Sequence, residues 1–218
     1  MDHRKPLVVF DMDGVLIHER SSWRLVHEKL GTSNEDSFAA YMKGEIDDLE
    51  FMRRDIDLWM RKRVTRSSEI EIILEKATLM DGFMGCMDQL RDWGATLAIV
   101  SGGLDILAHR LGKKGGFSHV SANGLATDPD GNLTGEGILR VPLMDKGSVL
   151  RSIISENDGL GPVVVVGDSI VDISMFELSD LSIAFRPEVL KVSEAADNVI
   201  STPDLGLLPG LIGKFLGR

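Results

Sequence analysis

Two aspartates stand one residue apart, directly after a short apolar run near the start of the chain. Asp11 and Asp13 follow Val8-Val9-Phe10 in the stretch VVFDMDGV. Like charges this close raise each other's pKa and cost stability unless a cation lies between them. A strand that ends in paired carboxylates therefore indicates either a turn with solvated side chains or a site for a divalent cation.

Another aspartate follows a second apolar run. Asp168 comes shortly after residues 163–166, and Asp172 lies four positions later. Mg²⁺ prefers carboxylate, carbonyl and water oxygens, and it commonly also takes an oxygen from a substrate phosphate. We therefore expect Asp11, Asp13 and Asp168 to converge on Mg²⁺. Asp172 is one helical turn from Asp168, so it either supports this metal site or is a surface aspartate near a helix start.

A serine and two glycines follow a third apolar run. Ser101-Gly102-Gly103 come after residues 96–100, and a helical pattern begins at Leu104. Glycines let backbone N–H groups approach an anion closely, and N–H groups at a helix start bind phosphate. The Ser101 hydroxyl could add one more donor. The segment is therefore predicted to open a helix and bind phosphate, or to act as a plain helix N-cap.

Lys146 lies in the stretch MDKGS, where another helix is expected to begin. A cation in the first turn opposes the helix dipole, so helix stability does not explain this lysine. A side chain that reaches toward a bound phosphate would explain it. An ordinary exposed lysine is the alternative.

The segments that must position these residues alternate between strand and helix patterns. Continuous runs of β-branched residues suit strands that are buried on both faces of a parallel sheet. Five such strands are predicted, at residues 7–10, 96–100, 163–166, 181–185 and 198–200. Helical patterns lie between them, at residues 85–93, 104–111, 146–155, 173–178 and 187–195. This alternation predicts an α/β fold with a doubly wound, Rossmann-like parallel sheet.

Two segments interrupt the alternation. Residues 16–80 carry apolar side chains at helical spacing, which predicts a helical-bundle cap inserted after the first strand. The α/β core would then comprise residues 1–15 and 81–218. Residues 119–140 contain the turn signals Asn123-Gly124 and Asp130-Gly131, which predict a short hairpin.

Composition limits the classes of function. The chain has 218 residues and a formal net charge of −10, which argues against a general electrostatic attraction to nucleic acid. Cys86 is the only cysteine, so an internal disulfide is impossible and a reducing, cytoplasmic location is expected. No apolar stretch approaches the length of a membrane span or a signal peptide. The sequence predicts neither a nucleic-acid nor a membrane partner, and it does not indicate an oligomeric state.

Four motifs together resemble the haloacid dehalogenase-like phosphohydrolases, and most closely their phosphoserine-phosphatase-like branch. The stretches FDMDGV, VSGG, MDKG and GDSIVDISMF occur in the order and spacing of that family. The resemblance extends over nearly the whole chain and includes the helical insert and the hairpin. It implies an α/β core with a helical cap and a phosphatase that uses Mg²⁺.

The resemblance also implies roles for individual residues. Asp11 would be the nucleophile that forms an aspartyl-phosphate, and Asp13 would protonate the leaving oxygen and then activate water. Ser101 and Lys146 would hold the phosphoryl oxygens together with the backbone of Gly102 and Gly103. Asp168 would bind Mg²⁺ with Asp11, the Asp13 carbonyl and Asp172. This division suits phosphoryl transfer, which depends on positioning and charge neutralisation.

The sequence departs from the branch where the substrate is recognised. Phosphoserine phosphatases commonly carry a glutamate seven residues after the acid/base aspartate, where it meets the amino group of the substrate. Here that position is Arg20, and Glu19 beside it is also expected to bind substrate. Arg20 is expected either to bind a second anionic group of the substrate or to be a solvated arginine on the first cap helix. The cap arginine that meets the substrate carboxylate is placed at Arg54, within the stretch FMRRD.

The sequence thus predicts a Mg²⁺-dependent phosphomonoester hydrolase that acts on a small phosphorylated metabolite through an aspartyl-phosphate. One alternative is a phosphotransferase that passes the phosphoryl group to another hydroxyl. The other is a phosphometabolite-binding protein with negligible turnover. Retention of both Asp11 and Asp13 argues against the binding protein, because only catalysis requires the pair.

Overall fold

A parallel sheet with helices on both faces forms the centre of the molecule. The computed structural model describes residues 4–157 and 159–218. Within these residues, seven strands form one sheet: β1 (Lys5–Phe10), β2 (Thr96–Leu104), β3 (His119–Thr127), β4 (Leu133–Ile138), β5 (Leu160–Gly167), β6 (Leu181–Phe185) and β7 (Asn198–Ile200). Their spatial order is β4-β3-β2-β1-β5-β6-β7, and all pairs are parallel except β3 with β4. The predicted doubly wound α/β fold is confirmed.

Helices connect these strands. The described helices are α1 (Ser22–Leu30), α2 (Glu35–Met42), α3 (Asp48–Arg61), α4 (Ser67–Leu74), α5 (Phe83–Asp92), α6 (Asp105–Gly115), α7 (Lys146–Glu156), α8 (Ile173–Phe176), α9 (Leu190–Glu194) and α10 (Leu208–Leu216). Helices α5, α6 and α10 contribute to the apolar cluster on one face of the sheet, and α7, α8 and α9 to that on the other.

Strand β1 is central because its apolar run can be buried on both faces. Val8 and Phe10 belong to one apolar cluster, while Leu7 and Val9 belong to the other, and all four side chains are completely buried. This alternation follows from the two-residue period of a strand. Burial on both faces fixes the register of β1 against β2 and β5, and therefore fixes where Asp11 emerges.

Two local predictions are wrong. Ser101-Gly102-Gly103 do not open a helix, because β2 continues through them to Leu104 and α6 begins only at Asp105. Asn123-Gly124 do not form a turn, because they lie inside β3. The hairpin itself turns further along, where the Gly131 amide donates to the Asp128 carbonyl.

Helices α1 to α4 form the segment between β1 and α5, and the two ends of that segment meet. Ile17 and Leu79 form an antiparallel bridge. The Met80 amide donates to the Leu16 carbonyl at 3.0 Å, and the His18 amide donates to the Thr78 carbonyl at 2.9 Å. The chain therefore leaves the sheet and returns to it at neighbouring points, close to the limits predicted for the cap. The division into cap and core stays a prediction.

The hairpin β3–β4 packs against the inserted helices. An added Cβ on Gly137 of β4 would lie 2.9 Å from Met52 Cβ of α3, so a side chain at this position would push the hairpin and α3 apart. The Leu133 amide also donates to the Thr65 carbonyl at 2.7 Å. Helix α3 is thus held over the carboxyl edge of the sheet by the hairpin.

No helix in residues 4–157 and 159–218 combines the length and the apolar character that a bilayer crossing requires.

Candidate active site

Three adjacent strands end at one cavity. In the order β2-β1-β5, their carboxyl ends bring Ser101, Asp11 and Asp168 side by side. All three residues line a cavity of about 430 Å³, together with Asp13 and Lys146. Ligands of open α/β sheets bind at this edge. Five of the six residues that the sequence assigned to catalysis and metal binding therefore share one site, and the sixth, Asp172, contacts Lys146 behind the cavity lining.

Lys146 lies between two carboxylates at the base of this site. Its Nζ is 3.0 Å from Asp11 Oδ1 and 2.7 Å from Asp172 Oδ1. The residue is the first of α7 and only 1 % exposed, so it is not an ordinary surface lysine. The two carboxylates raise the pKa of Lys146 despite its burial, which keeps the ammonium charged. Asp145 caps α7 by accepting from the Ser148 amide, and this places the lysine.

Asp172 has both carboxylate oxygens engaged by the protein. Oδ1 accepts from Lys146, and Oδ2 accepts from the amides of Asp168 and Ser169 at 2.9 and 3.0 Å. Asp172 is fully buried, so it is not the surface aspartate that was one alternative. These contacts orient Lys146 and the loop that bears Asp168. Its direct contact with a metal stays a prediction.

Asp13 is held by the start of α1. Its Oδ2 accepts from the Ser22 amide and hydroxyl, both at 2.9 Å, while its Oδ1 is buried without a hydrogen-bond partner among the described residues. Ser22 Oγ in turn accepts from the Leu104 amide. Gly103 is required here, because an added Cβ would lie 2.6 Å from both Asp13 Oδ2 and Ser22 Oγ. Oδ1 is therefore the oxygen that is left to hold a proton.

Burial raises the pKa of three carboxyl groups in the site. Burial raises the pKa of Asp13 to about 7, helped by the charge of Asp11 and opposed by the Ser22 hydrogen bonds. Burial raises the pKa of Asp11 to about 6, although Lys146 lowers it. Burial, together with the charges of Asp11 and Asp172, raises the pKa of Asp168 to about 9, against the effect of Arg20. The site has more buried carboxylates than cations.

The donor set fits a hard divalent cation. One carboxylate oxygen from each of Asp11, Asp168 and Asp172 lies within 4.8 Å of the others, and all three residues are buried. Oxygen donors of this kind suit Mg²⁺ or Ca²⁺ rather than a soft metal. A dication there would offset the carboxylate charge that Lys146 and Arg20 leave unbalanced. The predicted metal site is therefore chemically consistent with the residues present.

Arg20 is engaged with a predicted metal ligand. Its Nη1 donates to Asp168 Oδ2, and its Nη2 donates to the Arg186 carbonyl at 2.9 Å. Arg20 precedes α1 and is about one-third exposed, so it is not a solvated arginine of the first inserted helix. It does line the cavity. Its contact with a second anionic group of the substrate stays a prediction.

Glu19 and Arg54 lie elsewhere. The Glu19 carboxylate accepts from the Thr78 amide and so joins the two ends of the inserted segment. Arg54 Nε donates to Glu50 Oε1 at 2.8 Å on the exposed side of α3. Neither of these two residues is among those that line the cavity. The structure therefore does not bring them to the site, although both were expected to bind substrate.

Several other residues line the cavity without having been predicted from the sequence, among them Trp23, Asn123 and Arg24. Trp23 Nε1 donates to the Gly102 carbonyl at 3.1 Å, which joins α1 to the end of β2. Asn123 donates to the Val141 carbonyl and accepts from the Val141 amide, so it anchors the chain after the hairpin. Arg24 lines the cavity from α1 with an exposed side chain. Asn123 had been interpreted only as a turn signal.

The comparisons with known proteins agree with this geometry. A family model described as haloacid dehalogenase-like hydrolase matches residues 8–177. The chain belongs to this family. Its curated relatives are phosphatases, and the chain is a phosphatase of the phosphoserine-phosphatase-like branch. The predicted family and enzyme class are confirmed. The alternative hypothesis, a phosphometabolite-binding protein with negligible turnover, has no support from these comparisons.

The similarity extends over almost the full length. A phosphoserine phosphatase of Methanocaldococcus jannaschii is 30% identical over 209 residues, which cover 94% of this chain and 96% of that protein. A solved structure of a substrate-bound phosphoserine phosphatase complex is 26% identical with a TM-score of 0.78, and the match covers 95% and 98% of the two chains. A solved phospho-aspartyl intermediate analogue of phosphoserine phosphatase is 27% identical with the same TM-score, covering 95% and 99%.

Proposed function

We propose that this phosphatase is a Mg²⁺-dependent phosphomonoester hydrolase that acts on a small phosphorylated metabolite through an aspartyl-phosphate on Asp11. The observation that supports this most strongly is the contact of buried Lys146 with Asp11, at 3.0 Å, in a cavity that three strand ends share. A lysine in this position would neutralise phosphoryl oxygens next to the attacking carboxylate. The solved phospho-aspartyl intermediate analogue of a similar protein supports the covalent step.

In the proposed first half-reaction, an Asp11 carboxylate oxygen attacks phosphorus while the bond to the leaving oxygen breaks. Asp13 gives the proton on Oδ1 to that oxygen, so the product leaves as an alcohol. The raised pKa of Asp13, about 7, suits a group that must be protonated near neutral pH. Ser22 holds the other oxygen of Asp13 and thereby directs Oδ1.

In the proposed second half-reaction, Asp13 accepts a proton from a water molecule that attacks phosphorus. The bond between phosphorus and the Asp11 oxygen breaks, which releases phosphate and restores both aspartates. Lys146 and the Ser101-Gly102-Gly103 segment would hold the phosphoryl oxygens in both steps. Mg²⁺, when bound by Asp11 and Asp168, would neutralise further negative charge on the phosphoryl group.

We also propose that residues 16–80 act as a cap that restricts the substrate to small molecules. Trp23, Met52 and other side chains of this segment line the cavity opposite the strand ends. A cavity of about 430 Å³ is in the range of small-molecule sites. Phosphoserine is the first substrate to test, because the named relatives are phosphoserine phosphatases.

The test is phosphate release from a panel of small phosphomonoesters, including phosphoserine, sugar phosphates and acid phosphates. We expect release with Mg²⁺, little release with EDTA, and a loss of at least about 10³-fold for Asp11→Asn. Asp57→Asn is the matched control, because Asp57 pairs with Arg61 on the exposed side of α3. Full release in EDTA would contradict the metal requirement, and an active Asp11→Asn enzyme would contradict the covalent step.

A further inference from the structure

A guanidinium group holds one of the predicted metal ligands. Arg20 Nη1 donates to Asp168 Oδ2, and Arg20 Nη2 donates to the Arg186 carbonyl at 2.9 Å. The planar guanidinium makes both contacts at once, which a single ammonium could not do in this geometry. The Asp168 side chain is buried, whereas that of Arg20 is 32% exposed. The ion pair therefore joins a buried carboxylate to a cation that is partly open to the cavity.

The chain around Arg20 fixes where its side chain begins. The Gly14 amide donates to the Glu19 carbonyl at 2.7 Å, which closes the loop that precedes Arg20. Ser21, directly after it, is the N-cap of α1. Gly14 also leaves room for the ion pair, since an added Cβ there would lie 2.1 Å from Asp168 Oδ2 and 3.1 Å from Arg20 Cδ. The contact is thus part of the folded site and not the approach of a loose surface side chain.

Two cations pair with the three acids of the predicted metal site. Lys146 pairs with Asp11 and Asp172, and Arg20 pairs with Asp168. One carboxylate oxygen from each of these acids lies within 4.8 Å of the others. A divalent cation on Asp168 would therefore be separated from the Arg20 guanidinium by no more than one carboxylate group. Like charges this close to a buried carboxylate repel strongly, because water and salt screen them poorly there.

The two cations differ in their freedom to move away from a bound metal. Lys146 is buried and tied to two carboxylates, so the protein around it fixes its position. Arg20 is partly exposed and lines the cavity, so its guanidinium can withdraw from Asp168 into open space. Of the two cations, Arg20 is therefore the one that a metal ion can displace.

We propose that Arg20 is a positioning residue that holds Asp168 in the metal-free enzyme and competes with Mg²⁺ for this carboxylate. Arg20 thereby makes the metal affinity weaker than the three acids alone would give. By linkage, a metal ion bound at Asp168 weakens the contact with Arg20 to the same extent. This inference rests on the proposed function, which places Mg²⁺ on Asp168, and adds to it a residue that opposes the metal.

The test is the dissociation constant of Mg²⁺, measured by isothermal titration calorimetry in the absence of substrate. Arg20→Gln removes the charge but keeps a donor for Asp168, and we expect it to bind Mg²⁺ at least about tenfold more tightly than the wild type. Arg20→Lys keeps the charge and should stay within about threefold of the wild-type constant.

Arg24→Gln is the matched control for the loss of one positive charge. Arg24 also lines the cavity, one helical turn after Arg20, but its side chain is exposed and has no ion pair among the described residues. Because water and salt screen an exposed charge, the Mg²⁺ constant of this variant should change by less than about twofold.

Urea unfolding gives a second readout, which a purely structural role would not produce. In EDTA, Arg20→Gln should lower the urea midpoint, because Asp168 loses its counter-charge. Saturating Mg²⁺ should then raise the midpoint more for Arg20→Gln than for the wild type, since a more tightly bound ligand stabilises the folded state more. An arginine that only supports the fold would lower both midpoints equally when it is replaced.

The outcomes separate this inference from the proposed function. A wild-type or weaker Mg²⁺ affinity of Arg20→Gln overturns the competition, and so does an equal gain for Arg24→Gln. If neither the wild type nor Arg20→Gln binds Mg²⁺, the proposed metal site itself is wrong. If Arg20→Gln does not fold, the side-chain NMR signal of Arg20 in the wild type, identified by its loss in Arg20→Lys, decides. This signal should shift as Mg²⁺ is added, and an unchanged signal overturns the inference.

Discussion

The Lys146 ammonium lies between Asp11 Oδ1 and Asp172 Oδ1, with almost no exposed surface. Two buried carboxylates face each other without a cation if this charge is removed. Breaking a buried ion pair by removing one partner is strongly destabilising, because the remaining charge is neither solvated nor paired. The position therefore couples the stability of the fold to the proposed chemistry.

We predict that Lys146→Met lowers the free energy of unfolding of the metal-free protein by about 3–5 kcal/mol and lowers kcat by at least about 10²-fold. Urea unfolding in EDTA at neutral pH measures the first effect, and phosphate release with Mg²⁺ measures the second. Lys191→Met is the control, because Lys191 is exposed on α9. An unchanged urea midpoint for Lys146→Met would show that its charge is not needed to hold the two aspartates.

Sequence alone identifies those residues of the site that follow a strand or begin a helix. Asp11, Asp168 and Lys146 are found in this way, because the position of an element end fixes the direction of its first side chains. Ser22 is not found, because its partner, the Leu104 amide, is 82 positions away. Arg54 was expected at the site but does not line the cavity, because helical spacing does not say which face of α3 meets the cavity until α3 is placed against the hairpin.

At the scale of elements, the contact between the end of β2 and the start of α1 determines the geometry of Asp13. Gly103 of β2 approaches Ser22 of α1 so closely that a methyl group at this position would overlap both Ser22 Oγ and Asp13 Oδ2. Ser22 is also bonded to the Leu104 amide, so the strand and the helix position the acid together. A small change in their spacing would displace Asp13, the proposed proton donor.

We predict that Gly103→Ala lowers kcat by about 10²-fold and the free energy of unfolding by about 1–3 kcal/mol, because of overpacking against Ser22 and Asp13. Gly85→Ala is the control, since an added Cβ there meets no heavy atom within 4 Å and α5 is a regular helix. Steady-state kinetics and urea unfolding of both variants provide the measurement. Wild-type kinetics for Gly103→Ala would mean that the approach of β2 to α1 is not required.

The strands were predictable because runs such as residues 163–166 are apolar on both faces, and only a covered parallel sheet accommodates them. The extension of β2 through Ser101-Gly102-Gly103 could not be predicted from the sequence. Glycine has weak strand propensity, and the pairing of Leu104 with Asn123 is a tertiary contact. The same contact explains why Asn123-Gly124 continue a strand instead of turning. Local turn chemistry is overridden where the side chain of Asn123 is buried and hydrogen bonded.

At the scale of the whole molecule, the raised carboxyl pKa values make stability depend on pH. A carboxyl with a higher pKa in the folded protein binds its proton more tightly there than in the unfolded chain. Its contribution to the free energy of unfolding is fully present below pH 3.8, the ordinary pKa of an aspartate. This contribution is lost as the pH rises from there through the pKa of the group in the folded protein. For Asp11, Asp13 and Asp168 these values are about 6, 7 and 9. The metal-free protein should therefore become less stable as the pH rises from 4 toward 9.

We predict that the metal-free protein loses at least about 2 kcal/mol of unfolding free energy between pH 5 and pH 8.5, and that Mg²⁺ restores more at pH 8.5 than at pH 5. Metal binding requires deprotonated carboxylates, so its stabilisation increases with pH. Urea unfolding at both pH values, with EDTA or with Mg²⁺, provides the measurement. Asp11→Asn should flatten the metal-free profile, while Asp57→Asn should not. A metal-free protein that is more stable at the higher pH would contradict the electrostatic description.

The bridge between Ile17 and Leu79 has a consequence for how this enzyme could diversify. The inserted segment begins and ends at neighbouring points. Relative to the sheet it is therefore a long loop whose two ends stay at fixed positions. Insertions at such closely spaced ends are well tolerated, and the entropy of closing a longer loop rises only slowly with its length. Evolution can therefore exchange or remodel the inserted helices, which we propose restrict the substrate, while the strand ends that carry the proposed phosphoryl transfer remain unchanged.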